Sequence, residues 1–193
     1  MKQIEYQQKA VNELVDKTIE LLNLTGSRKK LVFKAPTGAG KTVMASEMLD
    51  RLVRELPTRT DSKVKDVAFI WIAPNKLHEQ SYMKMKNFFS ETRSLQPKVY
   101  DEIDHSSTGS IKMGEILFVN WESINKEKNL MVRDNEIGAS LYDIVRRTKE
   151  EGRNIIVIID EEHMFGGKNA PRANNVLNRI VPKVEIRISA TPT

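Results

Sequence analysis

The chain has 193 residues, 39% hydrophobic and 30% charged, enough for one domain with a real core and a solvated surface. It contains no cysteine, which excludes disulfides, thiolate chemistry and cysteine-ligated zinc and fits a reducing cytoplasm, the expected location. A formal charge of +5 favours polyanionic partners. No apolar run reaches the ~18 residues of a membrane span, and Glu5, Glu13, Asp16 and Glu20 break up the continuous apolar core a secretory signal needs.

In chain order, Ile4, Val11, Leu14, Val15, Leu21 and Leu22 fall at helical spacing, with Gly26 as the stop. Lys30 to Lys34 is a short apolar run ending at Pro36 and predicts a strand. A helix follows from the Gly40-Lys41-Thr42 turn towards Leu56, where Pro57 ends it. Thr58 to Lys65 reads as a loop. Val67 to Ala73 is apolar throughout, as a strand covered on both faces should be. Next come a helix from about Leu77 to Phe89, a strand around Val99, a strand at Ile116 to Val119, and a helix near Ile137 to Glu151. Strands at Ile155 to Ile159 and Val184 to Ile188 complete the series; Asn120 to Glu136 is the least regular stretch. Strands alternating with helices predict an α/β fold, a mostly parallel sheet with helices on both faces. Ligands in such sheets gather at the carboxyl ends of the strands.

Two segments at that edge carry chemistry. Ala35-Pro36-Thr37-Gly38-Ala39-Gly40-Lys41-Thr42 joins a strand to a helix and matches the P-loop pattern except for Ala35 at the first position. Gly38 and Gly40 admit backbone angles that turn successive N–H groups, including that of Ala39, towards phosphate oxygens. The helix N-terminus adds partial positive charge. Lys41 would bridge the β and γ phosphates, and Thr42 would offer its hydroxyl to Mg²⁺. Downstream, Ile155 to Ile159 delivers Asp160-Glu161-Glu162-His163 to the same edge. Asp160 would hold the Mg²⁺ and Glu161 would polarise the attacking water. Glu162 reads as an exposed side chain. His163 has no second His or Cys at ligand spacing, so it is no metal ligand.

The segments Ala35 to Thr42, Asp160 to His163 and Ser189-Ala190-Thr191 resemble, in that order, motifs I, II and III of superfamily 2 helicases and translocases. Tyr6-Gln7 resembles the glutamine motif, which makes Gln7 the reader of the adenine edge. Pro74 and Asn75, with Leu77 and Gln80, resemble motif Ia, which contacts the nucleic-acid backbone. The subgroup most similar is that of the Res subunits of type III restriction enzymes, to which Asn120 to Glu136 and Arg153 to Ile156 add their flavour. The resemblance implies a RecA-like P-loop NTPase fold and ATP and Mg²⁺ as cofactors. It also implies double-stranded DNA as the nucleic acid, and a modification or specificity subunit as a further partner. Ser189 and Thr191, with His163, would couple hydrolysis to strand movement. The chain stops at Thr193, just after motif III. The expectation is therefore a single RecA-like lobe over residues 1–193, without the second lobe, its arginine finger or a nuclease domain, and with little ATPase activity alone.

Among the weaker signals, Trp121 would either stack on a base or pack internally, whereas Trp71 lies inside an apolar strand and reads as core. Arg146-Arg147-Lys149 and Arg28-Lys29-Lys30 read as solvated charge. Gly166-Gly167-Lys168 is either a loop that moves with nucleotide state or a plain turn. Met44, Met48, Met83 and Met85 read as packing and surface residues. Two rivals differ in class. A guanine-specific switch would need an Asp that Asn75-Lys76-Leu77-His78 lacks, and a small kinase would need an arginine-rich lid. A module that clamps nucleotide or DNA without turnover would differ from the motor only in a hydrolysis assay.

Overall fold

The computed structural model describes residues 5–36, 40–88, 94–103, 108–124 and 140–190. Thr37, Gly38, Ala39, Thr191 and most of the irregular stretch after Ile124 lie outside these residues. Six strands form one sheet: β1 (Lys29–Ala35), β2 (Val67–Ala73), β3 (Gln96–Val99), β4 (Glu115–Asn120), β5 (Asn154–Asp160) and β6 (Val184–Ala190). Their order is β1-β6-β5-β2-β4-β3, and every pairing is parallel. The helices are α1 (Glu5–Asn23), α2 (Lys41–Glu55), α3 (Leu77–Phe88), α4 (Trp121–Ile124), α5 (Leu141–Glu150) and α6 (Ala170–Ile180).

Because side chains alternate across a strand, β2 and β5 feed two separate cores. Phe69 and Trp71 of β2, with Ile156 and Ile158 of β5, join α1, α2 and α3 on one face. Ile70 and Ile72, with Val157 and Ile159, join α4, α5 and α6 on the other. Trp71 is fully buried and stacked 5.6 Å from Phe118, and Met44, Met48 and Met85 are buried while Met83 is exposed. The edge strand β1 leaves Lys30, Val32 and Lys34 exposed. Lysines on such an edge discourage pairing with another chain.

Three features differ from the sequence expectation. The helix expected near Ile137 to Glu151 is observed as Leu141–Glu150, because Ser140 forms a capping box with Asp143. A helix, α6, stands where none was expected. Pro171 occupies its first turn, where no intrahelical N–H is needed, and Ala173, Val176, Leu177 and Ile180 form its buried stripe. The charge cluster on α5 is not uniformly solvated. Arg147 is buried with its Nε donating to the Gly109 carbonyl, and Lys149 Nζ donates to the carbonyls of Ile180 and Val181 at the end of α6.

Candidate nucleotide and nucleic-acid site

The register brings the functional segments to one edge. Ala35 pairs with Ala190, Lys34 with Ser189, and Asp160 with Ile188. On the other side of β5, Ile72 pairs with Ile159 and Ala73 with Asn120. The phosphate loop after β1, the acidic turn after β5, the Pro74-Asn75 turn after β2 and Trp121 after β4 therefore leave the sheet in the same direction. Ser189, 6% exposed, lies on β6 between the first two.

Gly40 has φ 79° and ψ 33°, and α2 starts directly after it without any side-chain cap. An L-residue in this left-handed conformation is strained, and a glycine is not. A Cβ here would also stand 2.9 Å from Nε2 of Gln7. Gln7 is 8% exposed, in the first turns of α1, so the sequence's adenine-reading candidate packs directly on the end of the phosphate loop. Lys41 Nζ reaches the Ala35 carbonyl at 3.5 Å. Thr42 lines an open groove of about 390 Å³ between α2 and α3, with Val43, Ser46, Lys84, Met85 and Asn87.

Asp160 is 8% exposed, and the Ser81 hydroxyl of α3 donates to its Oδ2 at 3.4 Å. Burial raises its carboxyl above the ordinary range and the neighbouring Glu161 charge raises it further, partly offset by Ser81 and the Glu161 amide. Glu161 adopts φ 56° and ψ 53°, the left-handed region, and its Oε2 lies 3.3 Å from His163 Nδ1. The donor set suits Mg²⁺: one buried carboxylate without a cationic partner among the described residues, and one hydroxyl. That ion takes one or two carboxylates plus water and phosphate oxygens rather than an all-protein cage. No group of three or more His, Asp or Glu converges among the described residues.

Pro74 is buried, whereas Asn75 and Gln80 are exposed. Asn75 and Lys76 are both left-handed, with φ 51° and 60°. The Asn75 N–H donates to both carboxylate oxygens of Glu122, at 3.0 and 3.2 Å, a contact that motif reading did not reveal. Trp121 is 4% exposed and edge-on to Phe165, with ring centroids 4.7 Å apart. Its ring is therefore internal, as in the packing alternative. Gly167–Asn169 is a single 3₁₀ turn leading into α6.

A parallel sheet with a left-handed glycine opening α2 on one strand, and a buried aspartate ending another, defines a RecA-like P-loop domain. The family model described as Type III restriction enzyme, res subunit matches residues 1–193, and the chain belongs to this family. It is thereby a helicase-like, ATP-binding motor domain; such domains generally use ATP with Mg²⁺ and bind nucleic acid. No curated protein matches the chain. No helix among the described residues is long and apolar enough to cross a membrane.

Proposed function

We propose that this lobe binds Mg·ATP between the phosphate loop and the acidic turn, and that its hydrolysis drives movement on double-stranded DNA. The observation that supports this most is the pairing of the left-handed Gly40 at the start of α2 with the buried Asp160 at the end of β5, one strand apart at the same sheet edge. Backbone N–H groups at the start of α2 cradle phosphate oxygens, and Lys41 neutralises the β and γ phosphates. Thr42 and Asp160 hold the Mg²⁺, which when bound neutralises charge developing on the γ-phosphate. Glu161 orients and polarises the attacking water, with His163 beside it. Gln7 reads the adenine edge, while Asn75 and Gln80, exposed in and beyond the turn that the buried Pro74 begins, face the DNA backbone. Ser189 and Thr191 pass the nucleotide state to the neighbouring strands.

Lys41→Ala tests the reading. Loss of a charge-assisted phosphate contact worth about 1.5–3 kcal/mol should weaken Mg·ATP binding by about 10–150-fold with the fold intact. Calorimetry showing wild-type affinity in this variant would remove the phosphate-loop assignment.

A further inference from the structure

The third residue of the acidic turn, Glu162, is not a free surface carboxylate. Arg187 Nη1 donates to its Oε1 at 3.2 Å, and Nη2 of the same guanidinium donates to Glu185 Oε2 at 3.0 Å. Glu185 is completely buried, and its other oxygen accepts from Nε of Arg28. Arg28 is held in turn by Asn174 and Asn178 of α6. The guanidinium of Arg187 is thus fixed from behind by a charge that has no alternative partner in water, on a frame built from β6, α6 and Arg28 just before β1. A planar fork gripped on one side offers its second nitrogen in a set direction, which a flexible ammonium does not.

The residue between the anchored Glu162 and the strand is Glu161, at φ 56° and ψ 53°. A non-glycine residue stays in that region only where its surroundings over-determine it. Asp160 fixes the chain on one side, through β5 and Ser81. On the other side, the only ion pair of Glu162 among the described residues is that with Arg187. We propose that Glu162 and Arg187 are a positioning pair: their ion pair holds the turn in its left-handed conformation and so aims the Glu161 carboxylate. Both side chains act through the backbone of Glu161. The proposal rests on the ATP reading above and deepens it, because it assigns a role to the one acidic residue that reading leaves idle.

The test is Glu162→Ala in the intact protein, which leaves the Arg187–Glu185–Arg28 frame in place, with Glu162→Gln as the isosteric companion should the alanine variant fold poorly. Single-turnover hydrolysis with double-stranded DNA, the Kd for Mg·ATP and the melting temperature are measured together. Misaiming the general base should lower the rate at saturating nucleotide by about 10–100-fold while Kd and melting temperature hold. Arg187→Lys, keeping one charge but not the fork, should fall between. Wild-type hydrolysis by Glu162→Ala and Glu162→Gln overturns the pair and leaves the ATP reading standing. A rate that falls only in step with affinity or melting temperature also overturns it, since the pair would then be merely structural. Absence of both Mg·ATP binding and hydrolysis in the intact wild-type protein removes the ATP reading and this inference with it.

Discussion

Gly40→Ala isolates the backbone demand of the phosphate loop from its contacts. At φ 79° an alanine Cβ crowds the following carbonyl, a cost of about 1–2 kcal/mol. The same Cβ would meet Gln7 Nε2 at 2.9 Å, but that atom ends a flexible side chain and can withdraw. The backbone cost should therefore dominate. For a chain of this size it amounts to a drop of about 2–8 °C in melting temperature, from the ~2–4 °C per kcal/mol typical of such domains. Gln7→Ala removes the contact and leaves φ untouched, so the loss caused by Gly40→Ala should be nearly the same in a Gln7→Ala background. Thermal denaturation of the four proteins in this cycle provides the check. Mg·ATP affinity should fall in Gly40→Ala as well, because the first N–H groups of α2 are aimed by this residue. If Gly40→Ala melts at the wild-type temperature, the left-handed start of α2 is not required by the fold. If its effect vanishes once Gln7 is trimmed, the contact and not the backbone is what the glycine serves.

The acidic pair should divide its roles: Glu161→Gln retains Mg·ATP binding and loses hydrolysis in the intact protein, whereas Asp160→Asn loses the Mg²⁺ dependence of binding; titrations with and without Mg²⁺ distinguish the two. Trp121→Ala should cost about 3–5 kcal/mol of stability as a buried aromatic, with DNA affinity declining only as folding does; selective loss of DNA binding at full stability would restore a stacking role. Asp160 also gives a pH signature. Its folded pKa is raised above the ordinary 3.8, by burial first and the Glu161 charge second, so the folded chain keeps this proton to higher pH than the unfolded one. Its contribution to stability is full below pH 3.8 and is lost as pH rises through the folded pKa. Mg·ATP needs the ionised form, so in the window above 3.8 where the folded carboxyl still holds its proton, binding should release that proton and weaken as pH falls, which calorimetry in buffers of different ionisation heat measures.

The elements that sequence alone determined are those whose signal is local. Val67–Ala73 and Ile155–Ile159 are apolar at every position because helices cover both faces of the strands, and no other element of that length demands it. The phosphate loop and the acidic turn were legible for a similar reason: glycine at a left-handed position, and carboxylates at a strand's end, are required by the backbone and the ligand rather than by distant neighbours. Helix α6 was not, since its polar residues and Pro171 read as a loop until packing against the sheet selects Ala173, Val176, Leu177 and Ile180 as one face. What only tertiary structure decided is which distant residues meet. The insertion of β6 between β1 and β5 carries Arg187 to Glu162, and the pairing of β2 with β4 carries Glu122 to the Asn75 amide. The orientation of Trp121 towards Phe165 depends likewise on the turn after β5 bringing Phe165 to the residue that follows β4. These contacts span 25, 47 and 44 positions along the chain, beyond the reach of any local period, and are fixed by strand order and the burial of charge and ring together.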